Sequence, residues 1–453
     1  MNLTREQKNL FGGYGTEQGD IRDSGQKAYR NLEVHIVTRV ARVDVSDLVI
    51  SLSIFEAIDE MYLTGKLVIA DNSALVTQLP IIGQEEVEVK FIRAGVEIEH
   101  TFACTNVENV IKMLGETAGV ELNLVSTKAL TNQVSRFSKS YSGLASDIIQ
   151  KIHTNFFEES IDIQSPSSSA HHIVVPFSRP YDTISEILSS TIGSDGTPYY
   201  LFENLVGEGP ILKSLGDILQ EETDEELFEL KKILNYNKDS TGQGSRFNPG
   251  SIGGLIEYEV LQNGDTLELL EDGALINNAM RIDIANKSYT ENSFYYANHA
   301  KSFSPLDQYQ NYEVNDIKLE ENILKASNTI EMHNPFSFET EGVTELNTQS
   351  DVLAKSKKES FNSRINNMVV IQALTDSHPE KIKVGKCVNM RVVANAPPLA
   401  GENLEDQLFS GRHIIARLGH HLRGGEYHME IDLLREGLSR PSESKAPQHG
   451  GGR

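Results

Sequence analysis

Tryptophan is absent from the 453 residues, cysteine occurs twice, and aromatic residues make up 7%. No stretch approaches the ~20 consecutive apolar residues of a membrane-spanning helix, so stable membrane insertion is not expected. Residues 1–20 carry charges and glycines but no apolar h-region, and the chain is expected to be made and kept in solution. Cys104 and Cys387 stand far apart, with no CxxC and no Cys/His cluster of zinc spacing. That excludes a disulfide scaffold. Each lies in an alternating run, where it reads as a small buried hydrophobe in a reducing compartment.

Positive charge is also scarce. Against 41 Lys and Arg stand 65 Asp and Glu, a net charge of -24. Such a surface repels polyphosphate and gains nothing from counterion release, so specific nucleic-acid binding is not expected. The same excess would let DNA slide past without sticking. What is present suffices for a packed protein: 39% hydrophobic and 23% charged residues are ordinary for globular chains, and the length suits two to four domains of about 100–200 residues.

Catalytic and ligand motifs are missing. The pairs His171-His172 and His420-His421, with His413 and His428, are the strongest hint of a metal site. However, neighbours on a strand point to opposite faces, and no HExxH accompanies them, so no metal or cofactor is expected. Ser142-Gly143 and Ser251-Ile252-Gly253 form no nucleophile elbow. The glycines at 12, 13 and 15 and at 450–452 lack the strand-then-helix frame of a phosphate loop. Glu85-Glu86 opens a strand, and Glu56, Asp59 and Glu60 read as solvated acids at a hairpin end, not as a glycosidase pair. No catalytic residue is assigned, and the chain is expected not to be an enzyme.

Hydrophobic periodicity organises the chain. After a polar arm, 1–29, period-two alternation runs through Leu48, Ile50, Leu52 and Ile54, then Leu63–Ile69, then Val87, Val89 and Phe91 opposite Glu86, Glu88 and Lys90. It continues at Val96, Ile98, His100, Phe102 and Cys104 and at Val120, Leu122 and Leu124. Residues 30–125 are therefore expected to form a first antiparallel β-barrel. From 126 to 215 the pattern is mixed α/β. Leu144, Ile148, Ile152 and Phe156 predict a helix over Gly143–Asn155, His172–Pro176 reads as a strand, and a second helix follows Pro180 with Thr183–Glu186 in capping-box form. Tyr199–Phe202 reads as a strand.

Residues 216–254 carry the acidic run Glu221–Glu226 and a glycine-rich stretch, and are expected to be an exposed insertion with a solvated helical face. Its acids do not follow an EF-hand loop. Residues 255–349 hold connecting strands at Ile256–Leu261 and Met280–Ile284 and return to the α/β unit. Alternation over Ile382–Val392 and Tyr427–Leu433 marks a second antiparallel β-barrel, 350–438, before a flexible tail, 439–453. The expected fold class is mainly β with α+β parts.

The strand motifs resemble those of one family. Tyr62–Asp71 (YLTGKLVIAD) followed by Leu79–Glu85 (LPIIGQE) is similar to the first tube domain of the baseplate hubs of contractile-tailed, T-even-like bacteriophages. The hub part of type VI secretion spikes is related to that family. Val175–Ile184 (VPFSRPYDTI) with Tyr199–Glu203 resembles its element of prolines, helix and Phe-Glu strand. Ile382–Met390 (IKVGKCVNM), Ser410–Ile415 (SGRHII) and Tyr427–Leu433 (YHMEIDL) are similar to its second tube domain. The likeness spans roughly 30–215 and 255–436, while 217–254 does not align.

The resemblance implies a structural subunit in the virion tail baseplate, present in the host cytoplasm during assembly. It implies a homotrimeric ring of pseudo-sixfold symmetry, a symmetry adaptor joining the tail-tube ring proteins to a central spike and forming part of the DNA ejection channel. Tape measure and baseplate wedge proteins are the further partners it implies. A hub of a contractile bacteriocin or secretion machine fits the same residues. An alternative from another class is a tail-associated cell-wall hydrolase with its catalytic domain at 126–215.

Overall fold

Strand formation follows the alternation. In the computed structural model, β1 (Arg30–Val37), β2 (Arg42–Asp44), β3 (Val49–Ala57), β4 (Thr64–Asp71), β5 (Glu86–Arg93), β6 (Val96–Lys112) and β7 (Ala118–Ser126) occupy the first block. The structure describes residues 29–71, 81–112, 118–167, 170–207, 209–221, 226–229, 254–274, 276–283, 287–296, 313–314, 317–318, 327–332, 349–392, 406 and 408–436. Apart from Tyr29, the expected arm lies outside them, as do the expected tail, the glycine-rich stretch and residues 222–225 of the acidic run.

The α/β unit contains α1 (Thr127–Val134), β8 (Phe137–Leu144), α2 (Ala145–Phe157), β9 (Asp162–Ile163), β10 (Ala170–Ser178), α3 (Pro180–Ser190), β11 (Tyr199–Glu203), β12 (Pro210–Ser214) and α4 (Leu215–Gln220). There follow β13 (Glu226–Glu229), β14 (Gly254–Asn263), α5 (Thr266–Glu271), β15 (Ile276–Asp283), β16 (Ser288–Tyr295), β17 (Glu313–Val314), β18 (Ile317–Lys318) and β19 (Ser327–Met332). The chain then forms α6 (Gln349–Asn367), β20 (Val369–Thr375), β21 (Cys387–Arg391), β22 (Gly411–Arg423) and β23 (Glu426–Arg435).

A single 13-stranded sheet unites the two β blocks in the order β2-β1-β5-β6-β7-β4-β3-β22-β21-β13-β14-β20-β23, with β22 also paired to β23. In the first block every ladder is antiparallel. Val87, Val89 and Phe91 turn inward with Leu52, Ile54, Leu67, Ile69, Leu122 and Leu124. Each such fully buried side chain contributes about 1.5–3 kcal/mol of transfer free energy.

The mainly β class with helices stands, but the pair of like, all-antiparallel barrels does not. The first block is an open sheet ending at β2. In the second, β13 pairs in parallel with both β14 and β21, so the strand orders of the blocks differ. The second block's ladders run from β22 through β21, β13, β14, β20 and β23 and return to β22.

Two segments depart from the expected organisation because tertiary pairing overrides local composition. Glu226–Glu229, at the end of the acidic run expected to be a solvated helical face, is a strand inside the large sheet, with Leu227 fully buried. Residues 254–263, expected to be a connection, pair with β20 in the second block. The helix α6 was not visible as a periodic stripe, because Ser356, Ser360, Ser363 and Arg364 are buried alongside Ala354, Phe361 and Ile365. It packs through Phe361 against Phe294 and Tyr296, and the Arg364 guanidinium sits 3.9 Å over the Tyr296 ring.

The α/β unit has its own core of Ile148, Ile149, Ile152, Ile184, Ile187, Leu188, Tyr199 and Leu201. Both helices form where periodicity places them, but the expected capping box does not. Pro180 occupies the first turn of α3 and Arg179 is its N-cap, which leaves Thr183 one turn inside, its hydroxyl donating to Arg179 O at 2.9 Å. Proline's fixed φ made the earlier start favourable. Among the described residues no helix is long and apolar enough to cross a membrane.

Candidate functional site at the junction of the two β blocks

The two blocks meet where β3 lies antiparallel to β22, in register from Ala57 opposite Arg417 to Ser51 opposite Arg423. Period two sends Leu52, Ile54 and Glu56 of β3 to one face. Glu56 thus goes inside with its aliphatic neighbours, not to a solvated hairpin end as expected; Asp59 and Glu60 beyond it are exposed. A buried carboxylate requires partners. Glu56 Oε1 lies 3.1 Å from His420 Nε2, and Oε2 accepts the Leu205 N–H at 2.6 Å.

His420 Nδ1 is 2.6 Å from the Tyr427 hydroxyl, the opposite side of the ring from Glu56. Burial holds the Tyr427 phenol well above its ordinary range, so the group that hydrogen-bonds Nδ1 is a neutral hydroxyl. On the other side of the ring the Glu56 carboxyl oxygen is the acceptor, so Nε2 is the donor to it. The Arg93 guanidinium stacks over Tyr427 at 5.1 Å and donates to Asp376 O at 2.8 Å. Every polar contact named here holds a position, and none leaves an activated nucleophile.

The end of β11 and the residues after it thread through this junction. Glu203 binds Lys128 of α1 at 2.8 Å, Asn204 Nδ2 donates to Val384 O at 3.4 Å, and Leu205 O is 2.7 Å from His100 Nε2 of β6. Just before it, the Phe202 ring lies against Gly385, where a Cβ would come within 2.2 Å of the ring. Tyr200 reaches α6 through Asn362 at 2.5 Å. The α/β unit, both β blocks and α6 are therefore fastened by one run of six residues. Lys128 also binds Glu159 at 2.5 Å, and burial raises the Glu203 carboxyl above its usual range against the pull of Lys128.

A cleft of about 290 Å³ opens beside Glu56, lined also by Glu60, Arg417, Gln372, Glu430 and Asp432. Desolvation raises the carboxyls of Glu60 and Asp432, whereas the His421 hydrogen bond lowers that of Glu430.

The histidines do not converge. His171 is buried on β10 opposite Gly143, and His172 lies beside it opposite Ser142. His413 is buried and held neutral, its pKa pushed down to about 3 by burial and then by Arg435, with Nδ1–H donating to Gly411 O at 3.0 Å. His421 faces Ser53 Oγ at 2.9 Å and Glu430 at 3.4 Å, and His428 faces Glu426 at 3.2 Å. Among the described residues no three His, Cys, Asp or Glu gather as a metal-holding group. Cys104 and Cys387 are buried, and burial pushes both thiols up to about 11.

Sequence reasoning missed Glu56 and Arg93, although the signal was there. Glu56 is in phase with Leu52 and Ile54, and Arg93 with Val87, Val89 and Phe91, so a charge falls on the inward register in each strand. Lys128, Glu159 and Glu203 had no such signal; only the fold brings them together.

No family model matches the chain, and no curated protein matches it in sequence. Solved structures do match. The tail protein from Neisseria meningitidis MC58 is similar at a TM-score of 0.50 and 10% identity, over 90% of this chain and 98% of its own. The 43 kDa tail protein of prophage MuSo2 from Shewanella oneidensis is similar at a TM-score of 0.50 and 8% identity, over 90% and 99%. The chain has the fold of these two tail proteins, in line with the resemblance of its strand motifs.

Proposed function

We propose that the chain is a structural baseplate hub subunit and not an enzyme. In this reading three copies form a pseudo-sixfold ring that joins the tail tube to the central spike and walls part of the DNA channel. The observation that carries it is the tail-protein fold running through nine-tenths of the chain. The first β block and the second, which centres on 350–438 and includes β13 and β14, then act as two tube-wall units. The α/β unit, 126–215, lies beside them.

The junction gives this reading its mechanics. A wall element must transmit load between tube and spike without hinging, and the β3–β22 ladder with its buried Glu56–His420–Tyr427 chain makes two blocks one body. The acid excess serves a channel through which DNA passes without adhering. Tail-tube, spike, tape measure and baseplate wedge proteins are the partners in this reading, and the virion tail is its location.

Electron microscopy of the purified full chain tests it. Three-fold rings with an open channel are expected. Monomers at all concentrations, or clearing of peptidoglycan by the pure protein, would overturn it.

A further inference from the structure

The outward register of β23 changes character along its length. Period two sends Met429, Ile431 and Leu433 into the core, each 0% exposed, and leaves Glu430, Asp432 and Leu434 on the other face. The neighbouring strands continue the gradient. Val370 of β20 and Ile414 of β22 stand beside Leu434, Gln372 and Arg417 beside Asp432, and Gly419 beside Glu430. The face passes from apolar to acidic over about 13 Å of extended chain.

Two cavities lie on this face and share Arg417 and Asp432 as walls, so they form one trough. The cleft beside Glu56 is its acidic end. The other end, about 410 Å³, is walled by Leu434, Val370, Ile414, Ile58 just after β3, Ile365 of α6 and Leu261 of β14. Leu261 is 53% exposed.

Charge at the acidic end is unbalanced. Glu56, Asp59, Glu60, Glu430 and Asp432 line the trough, and Arg417 is the one lysine or arginine among its lining residues. Arg417 is engaged with Asp59 at 3.2 Å, Glu56 with His420 and Glu430 with His421. Among the described residues Glu60 and Asp432 have no cation at ion-pair distance, and desolvation raises both carboxyls against the field of Arg417. Such acids gain from a cation that brings apolar cover of its own.

We propose that the trough is a docking site for a segment of another protein that presents lysine or arginine next to large apolar side chains. The cationic groups meet Glu60 and Asp432, and the apolar ones lie against Leu261, Val370 and Leu434. Charge complementarity chooses this occupant. A second copy, at net charge -24, has few basic groups to offer the acidic end, and an anionic partner is repelled by it. The inference does not depend on the ring reading above.

Peptide binding to the purified full chain tests it. Three fluorescein-labelled hexapeptides are compared by anisotropy: three lysines followed by three leucines, three glutamates followed by three leucines, and three lysines followed by three serines. The first should bind at least about tenfold more tightly than either control and should weaken as salt is raised. Two altered chains locate the contact, E60Q with D432N, and L261S. Each should lose about fivefold or more of the affinity. Melting temperatures should stay unchanged, because the amides keep the shapes of the acids and Leu261 is half exposed. Binding that ignores both alterations, or that is as tight for the lysine–serine peptide, is diffuse attraction to the acid excess and overturns the proposal, as does no binding. Alterations that change self-association instead give the trough to a second copy and also overturn it. Should one altered chain fail to fold, the other decides. The hub reading stands or falls separately, on the rings seen by electron microscopy.

Discussion

His420 and Glu56 stand 364 positions apart in the chain, yet Nε2 of one lies 3.1 Å from Oε1 of the other, with 1% and 2% of their side chains exposed. Their contact is a polar weld across the β3–β22 ladder. Removing one partner from such a pair costs more than the pair contributes, because the survivor stays buried without its match.

Glu56→Ala should therefore destabilise the protein by about 2–5 kcal/mol, since it orphans both His420 Nε2–H and Leu205 N–H. Glu56→Gln keeps an oxygen acceptor and should recover part of that loss. Urea unfolding of the three proteins measures it. An alanine variant within about 0.5 kcal/mol of the parent, the usual scatter of surface substitutions, would refute the weld.

His413 should make stability fall with acid. Below its ordinary value of 6.5 the unfolded chain takes up a proton that the native site refuses until about 3. The stability present above 6.5 is thus lost as pH falls through that window, by about 1.4 kcal/mol at pH 5.5 from this group alone. His413→Gln should show a shallower loss between pH 7 and 5.5, read from paired urea unfolding curves. Equal slopes would count against the buried neutral imidazole.

Gly385 and Gly95 both require positive φ, 75° and 86°, but differ in surroundings. Gly95→Ala meets nothing within 4 Å and should cost about 1–2 kcal/mol for the backbone alone. Gly385→Ala drives a methyl into the Phe202 ring and should add about 1–3 kcal/mol of overpacking. The melting temperature should fall further for Gly385→Ala, and the reverse order would mean that the Phe202 contact is not made.

The thiols of Cys104 and Cys387 should resist an aromatic disulfide reagent at pH 8, because the thiolate is the reactive form and burial suppresses it. Reaction should be fast only after denaturation. Immediate stoichiometric labelling of the native protein would contradict the burial of both strands.

Much of the local structure was legible because a half-buried strand writes period two into its residues. Val87, Val89 and Phe91 against Glu86, Glu88 and Lys90 placed β5, and Tyr427–Leu433 placed β23. Ladder partners were not legible. Glu226–Glu229 looked like solvated acid, yet β21 and β14 on its two sides provide backbone hydrogen bonds that no composition announces. The helix α6 was hidden for a related reason: serines and Arg364 share its buried face, and Ser360 and Ser363 donate to Ala274 O and Asp272 Oδ2 elsewhere in the fold.

By itself the sequence determined what short-range physics controls: strand and helix segments, buried cysteines, an acid excess and the order of motifs that resemble those of one family. The tertiary structure alone decided which strands pair, that Glu56 meets His420 and Leu205, and that Lys128 bridges Glu159 and Glu203. The physical reason is range. Periodicity acts over a few residues, whereas a buried charge is satisfied by whichever distant group the folded chain delivers.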